Sequence, residues 1–281
     1  MPPHHQTAQR TLSIAHRGAS AAAPSNTLAA FEAALQQGAD GIEFDVRLCA
    51  DGVPVVIHDA TVDATTDGSG AVSAMTLSEL KDLDAGSWFD PAFAGERIPA
   101  LTEVLEALGG RMLLNVELKG GALLDDRLER AVAKAIEHYG LAEQVLLSSF
   151  NPLTLRHLQR HAPHLSTGLL TASSAWLKGV LGRALASQGL AALHPHHTLV
   201  DEDYVRWARQ HGYRVHVWTV DEASEMRRLI RAGVDGIITN VPDVLHDVLI
   251  QSGDHPSRGC AGEAHTAPGS REPQHHATNW L

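Results

Sequence analysis

The sequence predicts an α/β fold, a (β/α)8 TIM barrel with a small insertion after the second strand. Short apolar runs, typical of buried strands, alternate about eight times with longer amphipathic stretches of helical period. Several of these stretches end at a glycine, which readily takes the left-handed conformation just past a helix. The chain has 281 residues and is 44% hydrophobic, which suits one barrel of roughly 250 residues. A doubly wound open sheet is the alternative that the same alternation allows.

Nine strand segments are predicted, and the second and third share one barrel position as a hairpin-like pair. Right-handed crossovers between the other strands would then close the barrel. The strands are predicted at Thr11–His16, Asp40–Val46, Val53–His58, Arg111–Leu118, Gln144–Phe150, Ser166–Leu170, Ala191–His194, Arg214–Trp218 and Gly236–Ile238. The helices are predicted at Thr27–Gln37, Ala122–Tyr139, Leu153–His161, Asp201–His211 and Glu222–Ala232, with closing glycines at Gly38, Gly140, Gly212 and Gly233.

Residues 59–99 interrupt this alternation, and we predict that they form the insertion. They contain many turn residues and a short helix near Leu77–Leu83. They also carry three aromatic side chains with an exposed-looking pattern, Trp88, Phe89 and Phe93.

The catalytic domain is predicted to span residues 11–251, because no linker interrupts the pattern there. Residues 1–10 are predicted to be a flexible N-terminal arm. Residues 252–281 are rich in Gly, Pro, Ser and His and lack an apolar period. Such a segment buries too little surface to offset its chain entropy, so we predict a disordered tail.

The charge balance disfavours two classes of partner. Lys and Arg total 22 against 33 for Asp and Glu, a formal net charge of −11. Without a concentrated basic patch, such a chain repels nucleic acid and anionic bilayers, so neither nucleic-acid binding nor stable membrane association is expected. A phosphate-ester substrate would need positive charge supplied locally, by a metal ion or by a few Arg and Lys side chains.

Cysteine content and the lack of long apolar stretches predict a cytoplasmic protein. The chain has two cysteines, Cys49 and Cys260, so no disulfide framework and no cysteine-based zinc site is expected. The first residues lack the apolar core of a secretory signal, and no window approaches the roughly 18 apolar residues of a membrane span. We expect a monomer or a small homo-oligomer.

Three carboxylates lie at the carboxyl ends of predicted strands, where the active sites of barrels are built. Glu43 and Asp45 are two residues apart on one strand, so their side chains share a face, and Glu117 ends the neighbouring barrel strand. A cluster of carboxylate oxygens is the ligand set that Mg²⁺ or Ca²⁺ prefers. The alternative is that these carboxylates form ordinary ion pairs with nearby cations, namely Arg17, Arg47 or Lys119.

Two histidines also end predicted strands. His16 and His58 can accept and donate protons near neutral pH, and such a pair beside a metal suits phosphodiester cleavage. Arg17 can bind phosphate oxygens with two parallel hydrogen bonds, and Lys119 adds a point charge. Trp218 is interpreted either as a packed core aromatic or as an apolar wall for part of the substrate.

Five segments of the chain resemble the glycerophosphodiester phosphodiesterase family, of the cytoplasmic bacterial type. They read AHRGASAAAPSNTLAAF, GIEFDVRLCADGVPVVIHD, LNVELKG, SSFNP and VHVWTVDEASEMRRLIRAGVDGIITNVPDVL, and the resemblance covers about residues 12–250. It implies a TIM barrel, a divalent metal, and hydrolysis of substrates such as glycerophosphocholine or glycerophosphoethanolamine to sn-glycerol 3-phosphate and an alcohol. By that similarity the acid–base pair is His16 and His58, the phosphate contacts are Arg17 and Lys119, and the metal ligands are Glu43, Asp45 and Glu117.

One motif departs from the family pattern. The family usually has Pro-Glu-Asn-Thr where this chain has Pro24-Ser25-Asn26-Thr27, so a carboxylate is missing near the site. Ser25 or Asn26 can still cap the helix that begins near Thr27. The missing carboxylate motivates one alternative function, a phosphodiester-binding protein with weakened catalysis. A second alternative is a phospholipase-like barrel, of the lysophospholipase D or C type, for which the aromatic insertion is the support.

Overall fold

The computed structural model describes residues 10–120, 125–172 and 189–254. Every strand except β3 is parallel to its neighbours, and β1 pairs with both β2 and β9, so the sheet closes on itself. The predicted (β/α)8 barrel is confirmed and the open sheet is excluded. The strands are β1 (Leu12–His16), β2 (Gly41–Leu48), β3 (Pro54–Val56), β4 (Leu113–Leu118), β5 (Val145–Ser149), β6 (Ser166–Thr171), β7 (Ala192–Pro195), β8 (Arg214–Val217) and β9 (Gly236–Thr239).

Helices cover the outside of the barrel, and no described helix is both long and apolar enough to cross a bilayer. Two of the predicted closing glycines, Gly140 and Gly233, end their helices with φ of 66° and 84°, where a side chain would be strained. The helices are α1 (Leu28–Gln36), α2 (Leu77–Asp82), α3 (Leu101–Leu108), α4 (Arg127–Tyr139), α5 (Pro152–His161), α6 (Glu202–Gln210), α7 (Ala223–Ala232) and α8 (Pro242–Gln251).

Two predicted helix starts need correction. The helix predicted from Ala122 begins at Arg127, because the carboxylate of Asp125 accepts a hydrogen bond from the Arg127 N–H and holds the preceding backbone outside the helix. Residues 122–124 of that prediction lie outside the described residues. Helix α1 is capped by Thr27, whose hydroxyl accepts from the Ala30 N–H at 3.2 Å, and not by Ser25 or Asn26.

The hairpin-like pair and the insertion lie where the sequence predicts them. Strand β3 runs antiparallel to β2 and lies outside the closed ring. The insertion contains the predicted short helix, α2, and its apolar side chains form a separate small core with Val55 of β3. Trp88 is exposed (44%), whereas Phe89 and Phe93 are half-buried and contact each other edge to face at 5.7 Å. Of the predicted arm (1–10) and tail (252–281), residues 1–9 and 255–281 lie outside the described residues. Arg10 pairs with Asp40, and Asp254 accepts a hydrogen bond from the Thr11 N–H at 2.9 Å, so these described end residues contact the barrel.

The two faces of the barrel strands differ in polarity. Outward side chains, such as Val116 and Val217, pack against the helices in the main apolar core. Inward positions include Asn115, His194 and His216, which are buried and polar. The rings of His194 and His216 have centroids 5.0 Å apart and no hydrogen-bond partner among the described residues. Burial lowers the pKa of His216 to about 3 and that of His194 well below its ordinary value, so both imidazoles are neutral at pH 7.

This buried pair should make the protein sensitive to acid. From about pH 6.5 down to about pH 3 the unfolded chain binds protons at these histidines that the folded chain does not, so the free energy of unfolding falls as the pH falls. His216→Leu should reduce that slope by about 1 kcal/mol per pH unit below pH 6, measured by denaturant unfolding at several pH values. Above pH 7 the two proteins should show the same pH dependence. An unchanged slope below pH 6 would contradict the neutral buried state of His216.

Candidate active site

The three predicted carboxylates meet inside the mouth of the barrel. Strand β2 places Glu43 and Asp45 on its inner face, and the pairing of Asp45 with Glu117 on β4 puts the third carboxylate beside them. All three side chains are buried. One oxygen from each carboxylate lies within 4.8 Å of an oxygen of each of the other two. The cluster is the only group of three or more metal-ligating side chains at this spacing among the described residues.

Two cations partly balance the cluster. Lys119 Nζ lies 3.0 Å from Asp45 Oδ1 and also pairs with Glu117, and Arg17 Nε lies 3.2 Å from Asp45 Oδ2. The predicted alternative of ion pairs is therefore correct for Arg17 and Lys119, whereas Arg47 forms no ion pair within the described part of the chain. Three carboxylates face two cations, so negative charge remains for a further cation.

Burial and the closeness of the three carboxylates shift their pKa values. Burial, with the neighbouring carboxylates, raises the pKa of Glu43 well above its usual value, and burial beside Asp45 raises that of Glu117 to about 7. Burial alone would also raise the pKa of Asp45, but the charges of Lys119 and Arg17 outweigh burial and lower it. The all-oxygen donor set fits a hard divalent cation such as Mg²⁺ or Ca²⁺.

His16 lies on one side of this cluster, at the end of β1. Its Nδ1 lies 2.7 Å from Asn240 Oδ1, and the Asn240 amide nitrogen donates to Asp221 at 2.6 Å. This assignment makes the Asn240 oxygen an acceptor, so His16 carries its proton on Nδ1 and leaves Nε2 unprotonated, 3.9 Å from a Glu43 oxygen. Burial and the charge of Arg17 lower the pKa of His16 to about 4.

His58 lies just after β3, which pairs along the same edge of β2 as β1 but nearer the carboxyl end of that strand. Its Nδ1 lies 2.7 Å from Asp59 Oδ1, and its carbonyl accepts a hydrogen bond from Arg47 Nε at 2.8 Å. Burial lowers the pKa of His58, while the charge of Asp45 opposes the shift. The two imidazoles therefore lie beside the acidic cluster, on the edge of β2 that pairs with β1 and β3, and each is held through Nδ1 with Nε2 outside that contact.

Asn26 is a site residue that the sequence reasoning assigned only to helix capping. Its side chain donates to Asp45 Oδ2 at 2.9 Å and accepts from the Asp45 N–H at 3.3 Å, so it fixes the orientation of that carboxylate. This requires a φ of 61°, which asparagine tolerates better than most residues. Ser25, beside it, lines a small cavity of about 40 Å³ together with Arg17 and His58.

Trp218 packs as the first of its two interpretations predicts, and its role as a wall for the substrate stays a prediction. Its Nε1 donates to the His194 carbonyl at 2.7 Å, and its ring packs against apolar side chains inside the barrel. At the mouth the ring contacts Phe150 and His196 edge to face, at 5.3 and 5.2 Å. Phe150 is exposed. These rings form an aromatic surface beside the mouth of the barrel.

The fold and the site define a TIM-barrel enzyme with a buried acidic centre and two histidines beside it. The chain belongs to the glycerophosphoryl diester phosphodiesterase family, whose model matches residues 16–244. It is 46% identical over 245 residues to a glycerophosphodiester phosphodiesterase of Caldanaerobacter subterraneus, covering 87% of this chain and 100% of the relative. The resemblance found in the sequence is thus confirmed.

Solved structures of phosphodiesterases share the fold of this chain. A phosphodiesterase from Oleispira antarctica, determined in complex with the product sn-glycerol-3-phosphate, superposes with a TM-score of 0.79 at 33% identity, over 86% of this chain and 97% of that one. A glycerophosphodiester phosphodiesterase from Agrobacterium tumefaciens superposes with a TM-score of 0.75 at 35% identity, over 84% of this chain and 99% of that one.

Proposed function

We propose that the protein hydrolyses glycerophosphodiesters, such as glycerophosphocholine or glycerophosphoethanolamine, to sn-glycerol 3-phosphate and an alcohol. The observation that carries the proposal is the buried cluster of Glu43, Asp45 and Glu117 with the imidazoles of His16 and His58 beside it. Family membership and the product complex of the Oleispira relative support the same substrate class.

The three carboxylates would hold one divalent cation, Mg²⁺ or Ca²⁺. A cation bound there supplies positive charge to the non-bridging phosphate oxygens and orients the ester. Arg17 and Lys119 lie against the same carboxylates and would contact the phosphate from the protein side. Asn26 keeps Asp45 in its ligating orientation through two hydrogen bonds.

The two histidines would exchange protons with the reacting groups through Nε2. One imidazole accepts the proton of the attacking hydroxyl, the bond from phosphorus to the leaving oxygen breaks, and the other imidazole donates a proton to that oxygen. The attacking hydroxyl is either water or the glycerol hydroxyl next to the phosphate. The second route forms a cyclic phosphate that water then opens, and phosphorus NMR of the reaction mixture distinguishes the two routes.

The structure and the comparisons favour this activity over the two alternatives. The histidines and carboxylates are intact and face one another, which a binding protein without turnover does not require. In the insertion, Phe89 and Phe93 contact each other, and Trp88 is the exposed aromatic. A phospholipase-like role therefore gains little support from the insertion. The cytoplasmic location, the oligomeric state and the domain limits stay predictions.

Incubation of the purified protein with glycerophosphocholine or glycerophosphoethanolamine should release sn-glycerol 3-phosphate. Release should stop in EDTA and return when Mg²⁺ or Ca²⁺ is added in excess, because the cluster needs a cation to neutralise the phosphate. A coupled assay for glycerol 3-phosphate measures the rate, and the cation that restores more activity identifies the better metal. Full activity in EDTA would contradict the metal assignment, and no release with either metal would contradict the proposed activity.

A further inference from the structure

A second cleft adjoins the acidic cluster, between the ends of β2 and β4 and the insertion. It is open to solvent and has a volume of about 210 Å³. Arg47, Lys119 and Arg127 line it on the barrel side, and Val72 and Ser73 line it on the insertion side. Because Lys119 also contacts Asp45 and Glu117, the cleft is continuous with the candidate catalytic centre.

The three cations of this cleft differ in how they are paired. Lys119 is paired with Asp45 and Glu117, and Arg127 forms two hydrogen bonds with Asp125, at 2.9 and 2.7 Å. Both charges are therefore balanced by protein carboxylates.

Arg47 forms no ion pair with any residue that the structure describes. Its side chain is half-buried, and within the described ranges its one hydrogen bond is from Nε to the His58 carbonyl. The adjacent residues 121–124 read Gly-Ala-Leu-Leu, so they bring no carboxylate. Asp45, Asp59 and Glu117 act on the Arg47 charge from a distance, but among the described residues none of them forms an ion pair with its guanidinium, whose terminal nitrogens carry four N–H donors. Withdrawing a guanidinium from water is costly unless an anion compensates.

We propose that this cleft receives the alcohol head group of the substrate, and that Arg47 binds an anionic group on it, best a carboxylate. The inference rests on the proposed function. A glycerophosphodiester has two arms, and the glycerol arm is uncharged and gains nothing from a guanidinium. The aromatic surface of Phe150 and Trp218 suits the carbon atoms of that arm. The cleft therefore suits an alcohol arm that carries a carboxylate, because the planar fork of Arg47 matches that group, whereas the ammonium of choline or ethanolamine is repelled by the same cations.

Glycerophosphoserine and glycerophosphoethanolamine test this, because they differ only by one carboxylate. The wild type should have the higher kcat/KM for glycerophosphoserine. Arg47→Gln should lower kcat/KM for glycerophosphoserine about ten-fold or more relative to glycerophosphoethanolamine, because a charge-assisted hydrogen bond is lost. Arg127→Gln is the matched control in the same cleft and should change that ratio less than about two-fold, since Arg127 is already paired with Asp125.

The ratio of the two substrates on one protein preparation is insensitive to partial unfolding of a variant. An equal loss on both substrates in Arg47→Gln would overturn the inference, because Arg47 would then act only through the His58 carbonyl. Inhibition by sn-glycerol 3-phosphate gives a second check. If Arg47→Gln weakens that inhibition by the same factor as it lowers kcat/KM for glycerophosphoserine, the inference is also overturned, since Arg47 would then contact the scissile phosphate. No turnover of either substrate by the wild type would instead contradict the proposed function itself.

Discussion

Replacing His16 or His58 with alanine should lower the turnover of a glycerophosphodiester by about 10²–10⁴-fold while the barrel stays folded, because a positioned proton donor or acceptor contributes that much. Both rings are held through Nδ1, at 2.7 Å from Asn240 and from Asp59, which leaves Nε2 for the substrate. Neither ring belongs to the apolar core, so we expect little change in unfolding temperature. The measurement is the rate of glycerol 3-phosphate release, with thermal unfolding and cation binding as checks on the fold.

A substrate with a p-nitrophenol leaving group assigns the two roles. An activated leaving group needs no proton, so the variant that lacks the general acid should regain most of its rate, whereas the variant that lacks the base should stay slow. Ser20→Ala is a matched control near His16, because it removes a hydroxyl that bonds Asn240 at 2.7 Å and leaves the His16–Asn240 contact in place. We expect less than about a ten-fold change there. Near-normal turnover in either histidine variant would remove that residue from the mechanism.

The barrel and the acidic cluster could be predicted because they follow from local periodicity. Alternation along a strand places Glu43 and Asp45 on one face, and the closed parallel sheet brings Glu117 beside them. The antiparallel pairing of β3 with β2 was also predictable, since six residues or fewer separate the two strands and such a short connection permits a hairpin.

The residues that orient the site were not predictable in the same way. Asn26 reaches Asp45 because its backbone takes a left-handed conformation, which the sequence permits but does not require. Arg47 was named only as an ion-pair partner in the alternative interpretation of the carboxylates, and its side chain instead bonds the His58 carbonyl and lines the cleft. His194 and His216 lie on apolar-looking strands, and periodicity does not reveal that two polar rings meet inside the barrel.

Glu43→Gln should weaken cation binding and lower turnover by at least about 100-fold, yet stabilise the cation-free protein. A metal that stabilises transition-state charge contributes several kcal/mol, and about 1.4 kcal/mol corresponds to each factor of ten. In the absence of a cation, Glu43 is a buried carboxylate crowded by Asp45 and Glu117, with only Arg17 and Lys119 to compensate. Removing one negative charge relieves that repulsion, and each kcal/mol relieved should raise the unfolding temperature by about 2–4 °C.

Glu43→Gln should stabilise the cation-free protein but weaken its stabilisation by the cation. These opposite effects distinguish a metal ligand from a carboxylate with a purely structural role. Calorimetric unfolding in EDTA should place Glu43→Gln above the wild type, and excess Mg²⁺ or Ca²⁺ should reverse the order, because only the wild type gains the full binding free energy. Asp125→Asn, a carboxylate outside the cluster, should leave the response to cation unchanged. If Glu43→Gln unfolds below the wild type in EDTA and shifts equally with cation, the hydrogen bond from the Arg17 N–H to Glu43 dominates and the carboxylate is structural. The acidic cluster would then balance Arg17 and Lys119 and hold no metal.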